Sequence, residues 1–155
     1  MSRRKNVVLL LLALFAIFVS VAVGAGYYHC VRVVDGDTLV VDIDGKQEKV
    51  RLIGVDTPET VHPSKPVEYF GKEASAFTKK LAAGKRVRLE YDQQRRDKYG
   101  RLLAYVYLED GAFLNAELIK QGYGFAYTRF PFRYMEEFRH YERDARGSHR
   151  GLWKN

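Results

Sequence analysis

The hydrophobic pattern divides the chain in two. From Val7 to Val23 the residues are almost purely apolar, and no polar face interrupts the run. That argues against the plainer reading of a buried core helix. From His29 onward apolar and polar positions alternate. Cys30–Val34 predicts a first strand, Asp35-Gly36 a turn, and Thr38–Ile43 a second strand with Leu39, Val41 and Ile43 on one face. Asp44-Gly45 is a hairpin signal, because both central positions of the favoured two-residue turn need positive φ. Gln47–Val55 predicts the third strand, so the first three strands form a meander.

A polar stretch with three prolines, Thr57–Val67, predicts a loop. Phe70, Ala74, Phe77 and Leu81 then recur at steps of four, three and four, the stripe of a helix that Gly84 can close. Arg86–Tyr91 and Leu102–Leu108 read as strands four and five, and Leu114–Gln121 as a short helix ended by Gly122. Tyr134, Phe138, Tyr141 and Ala145 mark a third helix, with Glu136, Arg139, Glu142 and Arg143 as its solvated face. This order predicts an α+β fold, predominantly β: a five-stranded OB-fold barrel with three packed helices.

The apolar run follows Arg3, Arg4 and Lys5 and precedes Gly24, Ala25 and Gly26. A positive head, an apolar middle and a small-residue exit form the layout of a secretory signal. The run is long for a signal and slightly short of the roughly 20 residues of a membrane span, so an uncleaved anchor stays open beside it. The expected division is residues 1–26 as signal peptide or membrane anchor and 27–155 as one folded domain. Either reading places that domain outside the cytoplasm, secreted, periplasmic or tethered.

Composition narrows the class. The net charge is +7, which favours a polyanionic partner. Aromatics make up 14% of the chain, suiting a β-rich core or a stacking platform for bases. Cys30 is the sole cysteine, which rules out an internal disulfide and a Cys-rich metal site. It is expected to pack in a strand.

Four clusters carry candidate chemistry, and each has a plainer reading. Asp35-Gly36-Asp37-Thr38 is either an ordinary turn or a ligand loop, and its spacing does not fit an EF-hand. Arg51 interrupts an apolar strand, where a charge is costly unless paired. Asp56-Thr57-Pro58-Glu59 is a loop or a helix start. The meander nevertheless brings Asp37 and Asp56 to one end of the sheet, and two carboxylates at one site repel unless they share a cation or proton. Oxygen ligands without Cys or a His pair favour calcium or magnesium over zinc. The histidines, His29, His62, His140 and His149, read as surface residues. Asp97-Lys98-Tyr99-Gly100-Arg101 is a polar connection or a phosphate grip.

The stretches VVDGDT, VRLIGVDTPET, HP followed by YFGKEASAFTKK, DKYGRLLAYVY and LNAELIKQG run in this order between Val33 and Tyr127. Together they resemble the staphylococcal nuclease family. The resemblance implies a calcium-dependent phosphodiesterase that cuts DNA and RNA at the P–O5′ bond and leaves 3′-phosphate ends. It implies that Asp37 and Asp56 bind Ca2+ through carboxylates and Thr57 through its backbone carbonyl. Glu59 would orient or deprotonate the attacking water, and Arg51 and Arg101 would grip the scissile phosphate. Lys98 and Tyr99 would contact a neighbouring phosphate, and Tyr127 would line the nucleotide pocket. Single-stranded substrates and a monomer are expected. One departure stands out: Arg129 occupies the position two residues after Tyr127 where the family often has a second tyrosine. Two rival readings are a non-catalytic OB-fold nucleic-acid binder and an anchored assembly protein. The binder has no need of acidic residues that repel phosphate, and the assembly protein would show no divalent-dependent hydrolysis.

Overall fold

The structure, a computed structural model, describes residues 26–64 and 66–154. The amino-terminal apolar run, read as signal or anchor, lies outside the described residues. Among the described residues, no helix is long and apolar enough to cross a membrane.

Alternation folds β1 (Tyr27–Asp35), β2 (Thr38–Ile43) and β3 (Lys46–Leu52) into an antiparallel meander. Asp44 and Gly45 both take positive φ, 54° and 85°, as the hairpin requires. Two further strands, β5 (Arg86–Glu90) and β6 (Leu102–Leu108), close a barrel of order β1-β2-β3-β6-β5. β5 is antiparallel to β1 and β6, whereas β3 runs parallel to β6 through Val50, Arg51 and Leu52. Of three helices, α1 (Gly71–Ala82) and α2 (Leu114–Lys120) pack on this barrel, and α3 (Met135–Gly147) packs against α2. The predicted α+β barrel with three helices is therefore the fold observed.

The core follows the pattern of apolar positions. Leu39, Val41, Val50, Leu52, Val87, Ala104 and Val106 are buried in the barrel, each larger side chain contributing about 1.5–3 kcal/mol. Cys30 is buried among them, with burial pushing its thiol up to about 11; it is packing and not a reactive group. α1 docks on the β1–β2 turn through the buried Thr78, whose hydroxyl donates to Gly36 O at 2.6 Å.

Two strands differ from their expected course, and both differences shape the site. β1 starts three residues earlier than predicted and carries register shifts between Cys30 and Arg32 and between Val33 and Asp35. The second shift re-aims the strand end and leaves Asp35 buried. The expected third strand, Gln47–Val55, is broken. β3 stops at Leu52, Gly54 turns the chain at φ 73°, and β4 (Val55–Asp56) leaves the barrel to pair with β7 (Phe125–Ala126).

A broken strand exposes carbonyls that need donors, and an unpartnered buried one costs about 1–3 kcal/mol. Arg51 Nη1 donates to Leu52 O at 3.3 Å and to Val55 O at 2.5 Å. The fully buried Asn115 donates to Ile53 O at 3.0 Å and Ala104 O at 3.2 Å, and accepts from Val106 N at 2.9 Å. The amide of Tyr127 donates to Gly54 O at 2.9 Å. The same contacts therefore hold the break and fix Arg51 and β4.

Candidate functional site

The β1–β2 turn approaches the loop after β4 so closely that Gly36 has no room for a side chain. A Cβ there would sit 2.7 Å from Thr57 Oγ1. That approach lets Asp37, 7% exposed, accept from Thr57 N at 2.8 Å and Thr57 Oγ1 at 3.1 Å through Oδ2, and from Thr38 Oγ1 at 2.9 Å through Oδ1. Its backbone carbonyl accepts from Leu52 N at 3.0 Å. Asp37 is thus held by β2, β3 and the Thr57 loop together.

Arg51 projects from β3 between the two carboxylates. Its Nη2 lies 3.1 Å from Asp37 Oδ2 and 2.9 Å from Asp56 Oδ1. Asp37 and Asp56, distant in sequence, meet across one guanidinium. Desolvation pushes the Asp56 carboxyl above the ordinary carboxylate range; Arg51 opposes this, and the charges of Asp37, Glu68 and Glu59 add to it.

Glu59 lies in the turn that follows. Its Oε1 accepts from Thr60 N at 3.0 Å and Val61 N at 2.8 Å. Beside it, Asp35 accepts from Gly36 N at 2.8 Å, Thr60 Oγ1 at 2.7 Å and Thr60 N at 3.2 Å. Burial raises Asp35 above the ordinary range, opposed by the Thr60 hydroxyl and the Gly36 and Thr60 amides, and the neighbouring Glu59 carboxylate adds to the rise. Burial also acts to raise Glu59, but the Val61 amide, Asp35 and the Thr60 amide outweigh it and hold Glu59 below the ordinary range.

Arg101 faces these groups from the loop before β6. Asp97 orders that loop: Oδ1 accepts from Tyr99 N at 2.9 Å and Arg101 N at 3.0 Å, and Oδ2 from Arg101 Nε at 2.6 Å. Burial acts to raise Asp97, yet these bonds hold it below the ordinary range. Gly100 takes φ 80° at the turn. Tyr99 is 72% exposed, with Lys98 Nζ 5.0 Å and Arg101 Cζ 5.4 Å from its ring centre.

A cleft of about 390 Å³ brings Asp37, Arg51, Asp56, Thr57, Glu59 and Arg101 together. Lys98, Tyr99 and Tyr127 are not among its lining residues; Tyr99 stands beside Arg101, and Tyr127 borders the break at Gly54. The second position after Tyr127, Arg129, is exposed and borders Phe130, whose ring centre is 6.3 Å from that of Tyr127. His62 is exposed, as expected of a surface histidine, yet it also lines the cleft.

The donor chemistry suits a hard divalent cation. Asp35, Asp37, Asp56, Glu59 and Glu68 line the cleft against Lys49, Arg51 and Arg101, so acidic groups outnumber fixed cations, and no thiol is present. Among the described residues, no group of three or more His, Cys, Asp or Glu is spaced to hold an ion unaided. A cation here needs a backbone carbonyl, water or a substrate oxygen to complete its shell.

Three residues were not expected in functional roles. Asp35 and Asp97 carry a faint signal, each an Asp with a glycine close behind it in a candidate cluster. Glu68 has none; only the fold brings it to the cleft.

Comparison with known proteins fits this geometry. Residues 49–155 match the family model described as "Staphylococcal nuclease homologue". The chain is 48% identical over 129 residues to a thermonuclease of Staphylococcus hyicus, covering 83% of this chain and 76% of that protein. It is 60% identical over 95 residues to a thermonuclease of Staphylococcus intermedius, covering 61% of this chain and 56% of that protein. It is 42% identical over 125 residues to endonuclease YncB of Bacillus subtilis, covering 79% of this chain and 59% of that protein. The chain thus spans less than two thirds of the last two relatives.

Proposed function

The chain belongs to the staphylococcal nuclease family, and from that premise we propose that its folded domain is a calcium-dependent phosphodiesterase. Its substrates are DNA and RNA, cut at the P–O5′ bond to leave 3′-phosphate ends. One observation carries this reading: Arg51 and Arg101 share a single cleft with Asp37, Asp56 and Glu59. A module that only binds phosphate gains nothing from such carboxylates.

Asp37 and Asp56, with the Thr57 carbonyl, would hold the cation. When bound, calcium supplies charge stabilisation at the phosphoryl oxygens. Arg51 and Arg101 offer guanidinium donors to those same oxygens, where negative charge grows during in-line attack. Glu59, kept ionised by its hydrogen bonds, orients or deprotonates the water. As the water oxygen bonds to phosphorus, the P–O5′ bond opens and the departing oxygen takes up a proton from solvent. Lys98 and Tyr99 contact a neighbouring phosphate, and Tyr127, 38% exposed, lines the nucleotide pocket.

A strand with accessible bases suits these exposed rings, so denatured DNA is cut faster than stable duplex, whose unstacking costs a few kcal/mol. The domain acts as a monomer outside the cytoplasm, released or tethered through the amino-terminal apolar segment. Calcium affinity on the order of 10⁻⁴–10⁻³ M suffices there. The test is hydrolysis of heat-denatured DNA with calcium and with excess chelator, followed by analysis of the product ends. Calcium-only activity leaving 3′-phosphates is expected; full activity in chelator contradicts the reading.

A further inference from the structure

Glu59 has no rigid element of its own, since it sits in the turn between β4 and α1. Its carboxylate leans on the amides of Thr60 and Val61, so its direction is set by how that turn is held. One side is held by Asp35 through Thr60. The other side is held from the residues leading into α1. Glu59 N donates to Glu68 Oε2 at 3.0 Å, and Glu68 N donates back to Glu59 O at 2.9 Å. Three residues on, Gly71 lies so close that a Cβ there would meet Thr60 Cγ2 at 2.7 Å, Pro58 O at 3.1 Å and Glu59 O at 3.2 Å. The Glu68 amide and carbonyl belong to the turn that starts α1, as Gly71 N donates to Glu68 O at 3.1 Å.

We propose that Glu68 is a positioning residue for Glu59: its carboxylate oxygen, seated by the turn into α1, fixes the Glu59 backbone and thereby the line along which Glu59 meets the attacking water. This rests on the role given to Glu59 above. In seating Glu59 it is the hydrogen bond accepted by Glu68, and not its charge, that acts, so glutamine can replace it there and alanine cannot. A displacement on the order of 1 Å in a catalytic group can cost about 10²-fold. Glu68 is exposed and outside the barrel core, so its loss leaves the fold in place.

The test is steady-state hydrolysis of denatured DNA, in calcium, by the full chain and five variants whose thermal midpoints are measured without calcium. Glu68→Ala lowers kcat by about 10–10²-fold with KM near wild type, while Glu68→Gln stays within about threefold because an amide oxygen accepts the same bond. Gly71→Ala, which pushes on the same turn, lowers kcat in the same manner and replaces Glu68→Ala should that variant not fold. In a Glu59→Gln background Glu68→Ala adds no further loss, since residues acting as a unit are non-additive. The proposal is overturned if folded Glu68→Ala or Gly71→Ala keeps kcat within about twofold, if Glu68→Gln falls as far as Glu68→Ala, or if the loss is undiminished beside Glu59→Gln. Full activity of Glu59→Gln alone contradicts the underlying role of Glu59 instead, so the two failures are distinguishable.

Discussion

Arg51 grows out of a barrel strand and Arg101 out of a surface loop, yet both line the same cleft. Arg51 is 15% exposed and spends its Nη donors on the protein: Leu52 O, Val55 O, Asp37 and Asp56. Arg101 is 29% exposed and bonds to Asp97 through Nε. Arg51 holds the strand break that creates β4, so it is part of the fold as well as of the site. Arg101 is positioned by Asp97 within the loop between β5 and β6. Two guanidiniums with the same assignment toward phosphate therefore predict different consequences when they are removed.

The largest effect is expected at Arg51. Arg51→Ala strands Asp37 beside Asp56 and leaves the Leu52 and Val55 carbonyls without their side-chain donor. Removing one member of a buried pair costs about 3–5 kcal/mol, so chemical denaturation should show a strong loss of stability together with loss of activity. Arg101→Ala should lose activity by about 10²–10³-fold while its stability changes by about 1 kcal/mol or less, as for a partly exposed pair. Equal stability losses in the two variants would erase the distinction.

Asp97→Asn sharpens it from the other side. It frees the Arg101 side chain without deleting it, so kcat should fall less than in Arg101→Ala, by about tenfold. Asp97 is held below the ordinary carboxylate range. Its contribution to stability is therefore present above the unfolded carboxylate value and is lost as pH falls through the lower folded value. Thermal midpoints of wild type and Asp97→Asn should differ at neutral pH and converge in acid.

Asp56 carries the opposite sign. Its carboxyl is raised, so the fold favours its protonated form below the unfolded value and loses that advantage as pH rises through the folded value. Calcium should take the place of that proton. The rise in thermal midpoint on adding calcium should grow from acid to neutral pH, amounting to on the order of 1 kcal/mol at ten times the dissociation constant. Differential scanning with and without chelator reads it. The smallest effect belongs to the cleft's surroundings. Arg129→Tyr should reduce the salt dependence of single-strand binding by about 0.7 in slope if Arg129 meets one phosphate.

Much of this was legible in the sequence because alternation, turn residues and helical stripes report local structure directly. The Asp44-Gly45 hairpin, the Phe77 and Phe138 helix stripes and the meeting of Asp37 with Asp56 follow from period and topology alone. The break at Gly54 did not, because VRLIGV reads as one apolar strand when the donors that satisfy its freed carbonyls lie far away, at Asn115 and Tyr127. The parallel pairing of β3 with β6 was equally hidden, since no local pattern specifies which edges close a barrel. Asp35 looked like a turn residue, and two register shifts in β1 were needed to bury it beside Glu59. Glu68 sits in a polar loop whose composition gives no hint of the reciprocal bonds with Glu59.

At the centre of the account is the division of labour in the cleft: Glu59 acts on the water, and the arginines act on the phosphate. The direct measurement is kcat on heat-denatured DNA in saturating calcium for Glu59→Gln and Arg101→Lys, each first shown folded by its thermal midpoint without calcium. Glu59→Gln is predicted to lose about 10²–10⁴-fold with substrate binding intact or tighter, because a negative charge near the phosphate is gone. Arg101→Lys is predicted to lose activity as well, because a point-like ammonium cannot reproduce the guanidinium fork. Near-wild-type kcat in both folded variants would contradict the mechanism, whatever the family resemblance.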